Sequence, residues 1–184
     1  MNKSKELIVS DLYRQAGEKS FKKFIIYLLR HPEFRFMFFL RLSAASSFYN
    51  PIGLVSRVWL KQMKVKYGIQ IPFMTQIGKG FRLNHYGGII INQGAVIGEN
   101  CNICQGVTLG HISRGKLKGS PTLGDRVWIG ANTVIVGKIM IGNDVLIAPL
   151  SYVNFDVPDN AVVVGNPAQI VSYNSSAGYV KNLI

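Results

Sequence analysis

Residues 121–153 read PTLGDRVWIGANTVIVGKIMIGNDVLIAPLSYV, with an aliphatic side chain at every sixth position: Leu123, Ile129, Ile135, Ile141, Ile147 and Val153. The same register runs back through Leu109, Ile103, Ile97, Ile91, Leu83, Ile77 and Ile71. Glycine often follows directly, as in Ile77-Gly78, Ile97-Gly98, Leu109-Gly110, Leu123-Gly124, Ile129-Gly130 and Ile141-Gly142. A six-residue period is the signature of a parallel β-helix, each hexapeptide supplying one short strand and one turn. An amphipathic helix would need spacings of three and four. Three hexapeptides make one triangular coil, and the prism is expected from about Ile69 to Val164.

The register breaks twice. Leu83 and Ile91 are eight apart, so two residues bulge out within Asn84-His85-Tyr86-Gly87-Gly88. Bulges re-aim side chains near active sites, and glycines permit dihedrals closed to other residues. His85 is therefore the first candidate for chemistry. Leu109 and Leu123 are fourteen apart, so eight extra residues within Gly110–Pro121 are expected to leave the prism as a flexible basic loop carrying Arg114, Lys116 and Lys118. These cations could meet phosphates, or simply be solvated.

The 184 residues allow one domain plus a small appendage, and 48% hydrophobic content supports a real core. The formal charge of +12 is lopsided, since residues 1–66 hold 13 Lys/Arg against 4 Asp/Glu. Such charge invites anionic partners, but no nucleic-acid module is recognisable. Cys101 and Cys104 form a lone C-x-x-C with no second pair, so neither zinc nor a redox role is expected. Cys101 falls where other repeats place a small core residue. With no disulfide framework, secretory signal or transmembrane span in view, the expected setting is the cytoplasm, or the inner face of its membrane.

Residues 1–68 read as a helical segment, 69–171 as the β-helix and 172–184 as a tail. The expected helices open at Asp11, at Phe21, at Glu33 and at Leu54, with Asn50–Gly53 a turn and Gly68 the final cap. In the third, Phe34, Met37, Phe38 and Leu42 share a face, with Glu33, Arg35 and Arg41 off it. The aromatic, basic stretch Phe21–Phe48 has two readings: a helix lying on an anionic membrane, or a cap packed on the β-helix or another subunit. The helices and the tail are expected to cap the prism ends.

The repeats, the His85-Tyr86-Gly87 bulge, the extruded loop and the tail Gly165-Asn166-Pro167-Ala168-Gln169-Ile170 resemble the hexapeptide-repeat acyltransferases. Within them, the stretch Ile69–Val171 looks most like the serine acetyltransferase subgroup and its relatives from capsule and exopolysaccharide gene clusters. The resemblance implies a left-handed β-helix, a homotrimer, and acetyl-CoA as acyl donor in a groove between neighbouring subunits. It places the catalytic general base on His85. It places the cofactor groove on Gly110, Gly130, Ala131, Ala148 and Pro149, with Gly165 and Pro167 near the nucleotide end.

Departures from the pattern are informative. The aspartate before the family's catalytic histidine is Asn84, the acid that orients that histidine is Gln70, and an Arg-His pair of the loop is Gly119-Ser120. His111 stands where the family has glycine and is a candidate second acid-base or acceptor-binding group. Serine is a zwitterion, so these neutral seats shift the expected acceptor toward a sugar or polysaccharide hydroxyl. The competing reading is a non-catalytic trimeric scaffold or binding module.

Overall fold

The computed structural model describes residues 3–47 and 49–184. Four helices precede the prism: α1 (Lys3–Ala16), α2 (Phe21–Arg30), α3 (Pro32–Ala45) and α4 (Pro51–Tyr67). The first begins at Lys3, a full two turns before Asp11. The last begins at Pro51, inside the stretch read as a turn: the Asn50 side chain accepts from the Ile52 amide at 2.9 Å, and Pro51 sits where its missing N–H costs nothing. Phe48, the end of the aromatic, basic stretch, lies outside the described residues.

From Ile69 the chain winds as a left-handed β-helix with three parallel faces. The first face stacks Ile69–Gln70, Ile89–Ile91, Thr108–Gly110, Val134–Val136 and Tyr152–Val153. The second stacks Gln76–Ile77, Val96–Ile97, Thr122–Leu123 and Met140–Ile141. The third stacks Arg82–Leu83, Asn102–Ile103, Trp128–Ile129, Leu146–Ile147 and Val162–Val164. Twelve of the thirteen in-register aliphatics are at most 2% exposed, while Ile77 is partly buried under the helices. Cys101 is fully buried, and burial pushes its thiol up to about 12.

Pairing records the breaks directly. Gln76 pairs with Val96, 20 residues on; Val96 pairs with Thr122, 26 on; Thr122 pairs with Met140, 18 on. The plain coil is 18 residues, and the other two carry the extra two and eight. The last coil is short, since Leu146 pairs with Val162, 16 residues on. This third irregularity follows Val153, beyond the regular register.

Two of the three corners need left-handed backbone in every coil. Gly80, Asn100, Arg126, Asp144 and Asn160 hold φ between 56° and 67° between the second and third faces. Asn and Asp tolerate this region through local hydrogen bonding. Arg126 is the exception, and it is held by Asp144 of the next coil through two 2.7 Å bonds.

Helices and prism share one core, because Phe36, Met37, Leu40, Leu60, Met63 and Tyr67 pack into the same cluster as the coil aliphatics. Arg41, expected off the packed face of α3, is 5% exposed. It pairs with Asp11 of α1 at 2.9 Å and 3.2 Å and donates to the carbonyls of Ile77 (2.7 Å) and Gly78 (2.6 Å). Arg14 of α1 is also fully buried and donates to the carbonyls of Gly80 and Asn100, both at 3.0 Å. The tail does more than close an end. Gln169–Ser172 adds an antiparallel strand to the third face, and the chain then runs back along a corner. There Ser175 and Ser176 donate to Asn160 and Asp144, and Ile184 reaches the Asn100 side chain at 3.2 Å.

Candidate active site

His85 sits at the corner between the third and first faces, exposed, just after Arg82–Leu83. The bulge is anchored at both ends. The Asn84 amide donates to Ile103 O at 2.9 Å and the Gly106 amide to Gly87 O at 2.8 Å. Gly87 and Gly88 turn the chain with φ of 106° and 66°, a region open chiefly to glycine. Tyr86 rests against Tyr67 of α4, ring centroids 5.4 Å apart. Asn84, where the family pattern has the preceding acid, turns its side chain elsewhere: Nδ2 donates to Cys104 Sγ at 3.3 Å.

Below His85 the same corner descends through successive coils. The amides of Asn84, Cys104, Gly130 and Ala148 donate in turn to Ile103, Ile129, Ile147 and Val163. This ladder stacks the bulge over Ala131, Pro149 and Gly165, with Leu150 donating to Ala131 and Tyr152 to Gly165. Most of the expected cofactor residues therefore line one corner beneath His85. Gly130 has a second reason to be glycine. A Cβ there would stand 2.5 Å from Pro149 N and 2.6 Å from its Cδ.

Gln70, Gly110 and His111 lie elsewhere. They line an open groove of about 940 Å³ along the first face, with Asn92 and, from α4, Lys61 and Lys64. Burial lowers the pKa of Lys64. Within one chain, the His85 corner and the His111 corner are thus opposite edges of one face, not one convergent pocket. Gln70 is not among the hydrogen-bonding neighbours of His85.

The eight-residue insertion is an ordered hairpin, which corrects the expectation of a flexible loop. Ile112 and Gly119 exchange two 2.9 Å backbone bonds, and Lys138 of the next coil donates to Leu117 O at 2.9 Å. Leu117 packs on the core while Arg114, Lys116 and Lys118 stay exposed. The hairpin brings His111 beside Ser120, with Nδ1 and Oγ 3.2 Å apart. Ser120 Oγ donates to Asn92 Oδ1 at 3.0 Å, an oxygen that also accepts the Gly94 amide at 2.9 Å. Ser120 has one proton and gives it to Asn92, so toward His111 it can only accept. Neutral His111 therefore carries its proton on Nδ1 and leaves Nε2 free to accept. Sequence reading missed Asn92 and the α4 lysines. Asn92 follows Ile91 where six of the twelve other repeats place glycine, which was the available signal.

Comparison with known proteins agrees with this fold. The family model described as "Bacterial transferase hexapeptide (six repeats)" matches residues 120–154. Serine acetyltransferase 4 of Arabidopsis thaliana is 39% identical over 107 residues, covering 58% of this chain and 30% of that protein. A solved soybean serine acetyltransferase apoenzyme is 30% identical with a TM-score of 0.75, covering 91% of this chain and 69% of that one. A Neisseria gonorrhoeae serine acetyltransferase structure is 28% identical with a TM-score of 0.77, covering 94% and 66%. The chain spans only about a third of the plant protein's length.

Proposed function

The chain belongs to the hexapeptide-repeat acyltransferases of serine acetyltransferase type, and from that premise we propose that it carries an acetyl group from acetyl-CoA to an acceptor hydroxyl. The observation that carries this reading is the corner itself: an exposed histidine on a glycine-built bulge, heading a column of small residues that leaves backbone accessible to a thin ligand. His85 takes the hydroxyl proton as that oxygen adds to the thioester carbonyl. It returns the proton to the departing thiolate, so the chain ends the cycle unchanged. Backbone amides at the corner would supply the oxyanion donor.

The two breaks sit on opposite edges of the first face. A site that uses both is completed by a neighbouring copy, which supports a homotrimer in which the hairpin of one subunit meets the bulge of the next. Free Cys101 and Cys104 support a cytoplasmic setting.

Serine is the acceptor that the relatives' names support, and none of those named is a sugar or polysaccharide acetyltransferase. The neutral seats Gln70, Asn84, Gly119 and Ser120 still bear on affinity. Hydrogen bonds to charged groups contribute about 1.5–3 kcal/mol against about 1 for neutral ones. Serine turnover with a high KM is the expected result, His111 Nε2 taking one position that an ionised group would otherwise hold. The test follows free CoA release from acetyl-CoA with L-serine and with neutral hydroxyl acceptors. Saturation at micromolar serine would contradict the neutral seats. Failure of calorimetry to detect CoA binding would instead favour the scaffold.

A further inference from the structure

The structure divides the aromatic, basic stretch between two helices. Helix α3 is the packed one, burying Phe34, Phe36, Met37 and Leu40. Helix α2 buries no residue completely. It is held by α3 and by α1, where the Tyr27 hydroxyl donates to Gln15 O at 3.3 Å. Phe24 meets Phe34 and Phe38 edge-on at 6.0 Å and 5.6 Å, Tyr27 stacks on His31 at 4.1 Å, and Arg35 of α3 donates to the carbonyls of Leu28 (2.6 Å) and Leu29.

Along the edge of that packed side runs an apolar stripe at i, i+4 and i+8: Phe21 is 79% exposed, Ile25 38% and Leu29 68%. Lys19, Lys22 and Arg30 are exposed around it. Phe21 also forms one wall of an apolar groove of about 480 Å³ between α1, α2 and α3, whose other walls include Ile8, Leu12 and Phe38 and whose rim carries Lys5 and Lys19. Among the described residues, no helix is long and apolar enough to cross a membrane.

The geometry points to α2 as a docking face for an anionic phospholipid bilayer, with Phe21, Ile25 and Leu29 entering the headgroup boundary and Lys19, Lys22 and Arg30 meeting lipid phosphates. Charge chooses this occupant. Residues 1–66 carry a formal excess of +9, 13 Lys/Arg against 4 Asp/Glu, and the cations flank the stripe. A symmetric contact between two copies would set those cations against one another. Three side chains also fall short of the roughly 800 Å² per partner of a stable protein interface. A bilayer needs no such area, because interfacial helices bind by a modest apolar face plus attraction to anionic headgroups. The proposal does not depend on the chemistry at His85.

Co-sedimentation of the full chain tests it, with vesicles of phosphatidylcholine alone or mixed with about one third phosphatidylglycerol. Wild type is expected to pellet with the anionic vesicles and at least tenfold less with the neutral ones. Binding should be lost as salt rises from about 0.1 M to about 1 M, where the Debye length falls from about 10 Å to about 3 Å. Lys22→Ala with Arg30→Ala should lower the partition coefficient about 25-fold, about fivefold per cation removed. Phe21→Ser with Leu29→Ser should lower it at least tenfold while far-ultraviolet circular dichroism stays unchanged. Equal binding to both vesicle types, or wild-type binding by the serine variant, would overturn the proposal. So would a serine variant that changes the oligomeric mass in the absence of vesicles, because that result makes the stripe a contact between copies.

Discussion

Replacing Arg41 by methionine should loosen the helices from the first coil of the prism. Arg41 is 5% exposed and Asp11 1%. Their two hydrogen bonds are joined by two from Arg41 to Ile77 O and Gly78 O and one from the Phe81 amide to Asp11 Oδ1 at 2.9 Å. The introduced methionine would fill most of the volume but leave a buried carboxylate without its cation, a change that costs about 3–5 kcal/mol. Desolvation already pushes the Asp11 carboxyl up, and Arg41 pulls against it. Without Arg41 the folded-state value rises further above the unfolded one. The variant's stability is then fullest below the unfolded value near 4 and is lost as pH rises through the folded value. The gap to wild type should be largest near pH 8 and narrow toward pH 5. Urea unfolding at fixed protein concentration measures it, with Asp11→Asn and the double variant completing a cycle whose coupling is at least about 2 kcal/mol. A loss below about 1 kcal/mol at pH 8 for Arg41→Met would refute this reasoning.

Three further outcomes follow from the same geometry. Gly130→Ala sets a Cβ within 2.8 Å of three atoms of Pro149, all in its rigid ring, so the coils must part; thermal unfolding should report about 1–3 kcal/mol lost. Gly115→Ala, where nothing lies within 4 Å but φ is 79°, should lose less, only backbone strain. The Cys101 thiol is raised from 9.0 to about 12, so its stability contribution is whole below pH 9 and falls as pH rises toward 12, by about 1.4 kcal/mol per unit. Wild type should therefore lose stability more steeply than Cys101→Ala across that window in denaturant titrations.

The prism was legible because a six-residue period has one structural meaning, and both of its interruptions fall where the chain leaves the coil. What those interruptions build was less legible. His85 and His111 occupy opposite edges of the first face, which the breaks alone do not show. Corner assignment depends on counting residues modulo a full coil. The Asn92–Ser120–His111 chain joins positions 28 and 9 residues apart, which no local pattern reveals. Arg41 illustrates the same limit. Its position on α3 reads as a polar face, and only Asp11, 30 residues earlier, makes burial of the guanidinium tolerable. The short final coil escaped because its signal is two missing residues beyond the last regular aliphatic.

The most direct measurement is steady-state CoA release from acetyl-CoA and L-serine by wild type and by His85→Ala, at matched protein concentration. If His85 is the general base, the substitution should lower kcat by about 10²–10⁴-fold while CoA affinity by calorimetry stays within a few fold. The His85→Ala protein turning over at near wild-type rate would contradict it, and would move the chemistry away from the bulge.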